Sequence, residues 1–380
     1  MSTHAWPAQQ RVHHDVALAD TLPAEIGAAR RVLLASTTSL RGSRIRAAAE
    51  AAIGPRLAAA HDGMRAHSPA EDVAALAALI REVQADLVVA LGGGSVIDGA
   101  KSACFAVWTG RAGSAALLTD LPRAGAGDWP EAMPSPRIVA VPTTLSAAEF
   151  SAHAGLTDLA AGRKHVFGIA PMVPRTVILD PAATLETPAE LLLSSGVRAI
   201  DHAAERWCSL RPEPFSDAVS RQALEMLEPG LRRLRAAPGD LAARAACQQA
   251  AWLSVMGGWA GVPVGASHGI GYILGAARGV PHGITSCLSL PAVMAWNAPV
   301  NAARQALLAR LFGRAESAGE GLRDFVTALG LPTRLGDVGI AGEAQLADLA
   351  ARYDGTGPIA TNPRPVTGAG DLLEILRIAA

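Results

Sequence analysis

The chain has 380 residues, half of them hydrophobic, with 33 Lys+Arg against 34 Asp+Glu. That length accommodates a sizeable core and two domains. The net charge of −1 gives no electrostatic case for a nucleic-acid or membrane-surface partner, so small-molecule chemistry is the expectation.

In chain order, the first 20 residues hold no basic region followed by an apolar run, and no later stretch approaches ~18 uninterrupted apolar residues, so a cytoplasmic protein with no membrane partner is predicted. RRVLLAS (30–36), ADLVVALGGG (85–94), RIVAVPTT (137–144) and RTVILDP (175–181) are short apolar runs bounded by Gly, Pro or polar residues, which predicts buried strands. Helical spacing over 43–53 and 69–84 makes this a β-α-β series with a mostly parallel sheet. The stretch 120–136, DLPRAGAGDWPEAMPSP, predicts an exposed excursion. Beyond about 185 the strand signals stop, and 216–235, 239–260 and 300–316 show helical periodicity. An α/β domain over 1–184 followed by an all-α domain over 185–380 is the expected organisation.

Four cysteines, Cys104, Cys208, Cys247 and Cys287, lack C-x-x-C spacing and predict buried apolar thiols. Only Lys101 and Lys164 among the basic residues are lysine, which marks them as places where a compact ammonium is required. The first lies in LVVALGGGSVIDGAKSA, a strand, a glycine turn and a helix beginning near Ser95. Gly93 and Gly94 let the backbone approach a ligand closely, the helix N-terminus favours an anion, and Ser95, Asp98 and Lys101 follow at once. This predicts a pyrophosphate site. Thr143 and Thr144 leave a second strand at the same carboxyl edge, where open parallel sheets bind ligands.

LGGGSVIDGAKS, PTTLSAAEF, GVRAIDHAAE, SHGIGYILGAARGVPHG and NPRPV, in this order over nearly the whole chain, resemble the iron-containing (group III) alcohol dehydrogenase family, most nearly its maleylacetate reductase branch. The resemblance implies a dehydroquinate synthase-like architecture: a Rossmann-like dinucleotide-binding domain, a helical C-terminal domain and NAD(P)H as cofactor. It also implies a small-molecule substrate, and a homodimer is the expected assembly. Metal-dependent members hold one divalent ion with an Asp and a His on one helix and two further His. The matching positions here are Arg198, His202, His268 and His282.

A guanidinium stays protonated in a protein and would sit beside the dication. Asp201 points about 100° around the helix from its neighbour His202 and is no substitute. A metal-independent site is therefore the expectation, with His202, His268 and His282 as the ligands if iron or zinc is bound. Maleylacetate reductases, as the resemblance implies, also lack the Asp and share the short P-T-T turn. Tyr272 stands where relatives carry a His beside the reacting carbon, and Lys164 matches a position near the nicotinamide. As pocket residues, Arg198 would bind a substrate carboxylate and His268 or Tyr272 would supply a proton; as a partner of Asp201 or Glu205, Arg198 would be structural. Ser36 ends the first strand without a carboxylate to repel a 2′-phosphate, so NADPH is expected to be tolerated. Two other readings stay open: a metal-dependent alcohol dehydrogenase, and a nucleotide-binding protein with lost or non-redox chemistry.

Overall fold

The computed structural model describes residues 9–122, 132–314 and 316–380, so part of the excursion expected at 120–136 lies outside the described residues. The described residues through Thr187 form one compact unit, and those from Pro188 to Ala380 form another.

The first unit runs β1 (Arg11–His14), α1 (Leu18–Ile26), β2 (Val32–Ala35), α2 (Arg44–Ile53), β3 (Leu57–His61), α3 (Ala70–Glu82), β4 (Leu87–Gly92), α4 (Gly94–Trp108), α5 (Gly113–Leu117), β5 (Arg137–Pro142), β6 (His153–Asp158), β7 (Arg163–Gly168) and β8 (Thr176–Leu179). Six strands form a parallel sheet in the order β1-β8-β5-β4-β2-β3, while β6 and β7 make a separate antiparallel hairpin. Every residue of β2, β4, β5 and β8 is buried, because helices cover both faces of the sheet. Leu34, Val89, Val139 and Ile178 pack with Leu18, Leu22, Ile26, Ile45 and Ile53 of α1 and α2. The alternate residues Leu33, Val88, Ala90 and Ile138 are equally buried and face the opposite side.

Two outer strands, β1 and β3, were not expected from the sequence. RVHH is mostly polar and LAAAH is alanine-rich without a β-branched residue, and each pairs on one side only. The chain steps outward from β2 to β3, then returns to place β4 on the other side of β2. The sheet's topological switch point therefore lies between the carboxyl ends of β2 and β4, where such sheets leave a crevice for a ligand.

The second unit is helical: α6 (Ala189–Trp207), α7 (Pro214–Ala236), α8 (Leu241–Met256), α9 (Ala266–Arg278), α10 (His282–Leu311), α11 (Ala318–Ala328), α12 (Glu343–Ala350) and α13 (Ala369–Ala379). The helix expected over 300–316 is the end of the much longer α10, which kinks at Asn301, two residues after Pro299. All four cysteines are buried and free. Among the described residues, no helix is long and apolar enough to cross a membrane.

Candidate functional site

In the α/β unit, the turn between β4 and α4 lies at the switch point. Gly93 caps α4 with no side-chain cap, and its carbonyl accepts from the N–H groups of Val96 and Ile97 at 3.0 and 3.2 Å. The first N–H groups of α4 have no partner within the helix and favour an anion. A Cβ on Gly93 would lie 3.0 Å from Cγ2 of Thr144, and one on Gly94 would lie 3.0 Å from Oγ of Ser146. The glycines thus let the turn at 143–146 close over the turn at 92–94, and the Thr143 N–H donates to the Gly92 carbonyl at 3.1 Å. Gly93, Gly94, Thr143 and Thr144 are brought together at the switch point, the position expected for a dinucleotide's phosphates. Ser95 Oγ accepts from the His67 N–H at 2.9 Å.

Asp98 and Lys164 also meet in this unit. Asp98 Oδ2 accepts from the Gly155 N–H at 3.0 Å, and burial pushes its carboxyl upward against the opposing pull of Lys101 and Lys164. Lys101 has a different role from the one its place after the glycine turn suggests. It is 0% exposed, its Nζ donates to the carbonyls of Ala148 and His153, and it lies 3.8 Å from Asp98 Oδ1. Its compact ammonium ties α4 to the segment after β5. Ser36 is likewise 0% exposed, with its hydroxyl donating to the Leu91 carbonyl at 3.0 Å, so its side chain braces β2 against β4 rather than presenting itself to a ribose.

In the helical unit, Arg198, Asp201, His202 and Glu205 share one face of α6 by their spacing. Opposite stand Ser267, His268 and Tyr272 on α9, and His282, Ser286 and Ser289 on α10. Arg198 is 3% exposed; its Nη1 lies 3.3 Å from Asp201 Oδ2 and 3.0 Å from Ser286 Oγ. Asp201, wholly buried, also accepts from Ser286 at 2.6 Å and Ser267 at 2.9 Å. Glu205 accepts from the N–H groups of Gly265 and Ser267 at 2.7 and 2.8 Å, satisfying the start of α9, and its Oε2 lies 2.7 Å from His268 Nδ1. Glu205 thereby orients the His268 ring, while burial raises the Glu205 carboxyl against the pull of those backbone donors.

From the sequence Asp201 and Glu205 enter only as structural partners for Arg198, and the structure pairs Arg198 with Asp201 while burying both carboxylates in the cluster. Burial holds His202 and His268 well below the ordinary histidine value, helped by His268 and Arg198 in the first case and by Arg198 in the second. Their rings lie 4.8 Å apart, while the His282 ring stacks on Tyr272 at 5.9 Å. Arg198 Nε, Asp201 Oδ1, His202 Nδ1 and His268 Nε2 are buried without a hydrogen-bond partner. Four such atoms in one cluster make it the candidate site for a polar ligand or ordered water.

These side chains, as arranged, do not fit a divalent ion. Among the described residues, one group of three offers ligand atoms within 4.8 Å of one another, Asp201, Glu205 and His268; His202, His268 and His282 do not form such a group. Of that group, Oε2 and Oε1 of Glu205 and Oδ2 of Asp201 already accept hydrogen bonds, and Arg198 holds a fixed positive charge beside Asp201. A dication there would meet an unremovable cation beside Asp201, and of the four carboxylate oxygens only Asp201 Oδ1 is without a hydrogen bond.

Dehydrogenase ALT3 of Alternaria alternata is 33% identical over 92% of this chain and 98% of its own length. Maleylacetate reductase 1 of Cupriavidus pinatubonensis is 29% identical over 97% of this chain and 94% of its own. The crystal structure of maleylacetate reductase from Agrobacterium tumefaciens superposes with a TM-score of 0.80 at 26% identity, covering 100% of this chain and 98% of that one. Residues 9–181 match the family model for iron-containing alcohol dehydrogenase, and residues 192–380 match the C-terminal model of the Fe-containing alcohol dehydrogenase family. With both units matched over nearly their whole length, and with relatives of maleylacetate reductase type, the chain belongs to the iron-containing alcohol dehydrogenase family of oxidoreductases.

Proposed function

We propose that this chain is an NAD(P)H-dependent reductase of maleylacetate reductase type, acting on an unsaturated or oxo-carboxylate without a metal ion. The observation that carries the reading is Arg198, a buried guanidinium with an unpartnered Nε beside the unpartnered nitrogens of His202 and His268. A fixed cation with a free N–H, buried out of water, binds a carboxylate and stabilises negative charge that develops on an oxygen.

Gly93, Gly94 and Ser95 would hold the dinucleotide's phosphates, with Thr143, Thr144, Asp98 and Lys164 placed for the remainder. When bound, the reduced dinucleotide supplies the hydride. Arg198 offsets the charge left on the substrate. His268 is oriented beside Arg198 by the contact of its Nδ1 with Glu205. Tyr272, stacked on His282, then supplies the proton.

The test is an absorbance screen of NADH and NADPH oxidation against maleylacetate, other oxo-acids, enones and aldehydes, with elemental analysis of the purified protein. The reading expects turnover confined to carboxylated acceptors, well under one equivalent of iron or zinc, and indifference to chelators. One tightly held equivalent whose removal abolishes turnover would establish the metal-dependent alternative. Cofactor binding with no acceptor turned over would establish a non-redox relative.

A further inference from the structure

We propose that Gly155 is a positioning residue of the reaction: its missing side chain on β6 lets Lys164 lie across the hairpin with its ammonium beside Asp98. This rests on the reading of Lys164 as the lysine near the nicotinamide and the reacting carbon. In the antiparallel register Thr157 faces Lys164 and Gly155 faces Val166, so Gly155, Thr157 and Lys164 project from one face. A Cβ on Gly155 would lie 2.4 Å from Cε of Lys164, 3.0 Å from its Nζ and 3.4 Å from Asp98 Oδ2. The Gly155 N–H meanwhile donates to Asp98 Oδ2 at 3.0 Å. One residue holds the carboxylate with its amide and provides, with its bare Cα, the floor on which the lysine rests.

Nothing else requires glycine here. Gly155 is not among the glycines with positive φ, and inside a strand alanine is ordinarily the more stable residue. A methyl group at 155 would meet the far end of a flexible side chain, so the lysine gives way and the fold does not. Gly168 on the partner strand is the contrasting case: a Cβ there would lie 2.2 Å from the Ala152 carbonyl oxygen, which is backbone. Gly168 serves the hairpin, and Gly155 serves the lysine.

The experiment is a double-mutant cycle of Gly155→Ala and Lys164→Met, read in NADPH affinity by fluorescence titration, in turnover of maleylacetate with NADPH, and in thermal unfolding, with Gly168→Ala as the structural control. Gly155→Ala is expected to melt no lower than the wild type, while its kcat/KM falls by roughly ten- to a hundredfold, as for a displaced positioning group. In the Lys164→Met background the same substitution is expected to cost nothing further, in turnover or in NADPH affinity. Wild-type kcat/KM and affinity in Gly155→Ala, losses that multiply in the double variant, or destabilisation like that of Gly168→Ala would each overturn the proposal while leaving Lys164 its role. If Lys164→Met alone keeps wild-type turnover and affinity, the reading of Lys164 fails and the proposal falls with it.

Discussion

Replacing Arg198 with Met tests whether the guanidinium is a site residue or only a structural partner, because stability and activity then respond differently. Arg198 and Asp201 are 3% and 0% exposed and 3.3 Å apart. Removing one partner of such a pair leaves a buried charge uncompensated, at a cost of about 3–5 kcal/mol. The hydroxyls of Ser267 and Ser286 still donate to Asp201, which places the expectation for Arg198→Met near the lower end, about 3 kcal/mol. Arg198→Met combined with Asp201→Asn removes both charges and keeps the two serine donors on the amide oxygen. It is expected to recover to within about 1 kcal/mol of the wild type by urea denaturation, about 2 kcal/mol more stable than Arg198→Met alone. Turnover of an oxo-carboxylate stays lost in both variants, since neither has the cation. A single variant as stable as the wild type would refute the buried pair, and a double variant with restored turnover would refute Arg198 as the substrate's anchor.

How far the sequence reached depends on how local each signal is. The strands β2, β4, β5 and β8 are legible because both faces are covered and the runs are continuously apolar, whereas β1 and β3 exist only through one neighbour each. The hairpin strand HAGLTD has no apolar run, because its form is set by pairing with β7 and by the Gly155 amide on Asp98. In the site, the order of the motifs was enough to single out Arg198, His202 and His268. Spacing along α6 could not show that Asp201 and Glu205 are buried, since that burial comes from α9, whose first N–H groups end on Glu205. The scarcity of lysine did point to a place where only an ammonium fits. At Lys101, however, the acceptors are the protein's own carbonyls rather than a phosphate.

Further expectations concern the glycine turn, the strand end and the outer strand β1. Gly94→Val adds branched carbons where a Cβ alone lies 3.0 Å from Ser146 Oγ, and should weaken NADPH binding roughly tenfold, about 1.4 kcal/mol, in a fluorescence titration; unchanged affinity would remove the phosphate assignment. Ser36→Ala loses the bond to the Leu91 carbonyl and should cost about 1 kcal/mol of stability, with the NADPH/NADH ratio of kcat/KM unmoved. A shifted ratio would put Ser36 at the ribose after all. At β1 the buried Glu25 makes hydrogen bonds with Arg11, Thr176 and His13. Burial alone would raise its carboxyl, but those bonds and the Arg11 charge outweigh it and bring the pKa down to about 2 from 4.5. A carboxyl depressed in the folded state stabilises above its unfolded value, and that contribution is lost as pH falls from about 4.5 towards 2. The shift's ideal worth of about 3 kcal/mol is cut to about 1–2 kcal/mol because the Arg11 side chain is 54% exposed and screened by solvent. Glu25→Gln should therefore be the less stable protein at neutral pH and should lose less stability on acidification than the wild type, so that the two urea midpoints converge towards pH 2. Parallel curves across that window would mean that Glu25 is not held ionised by its partners.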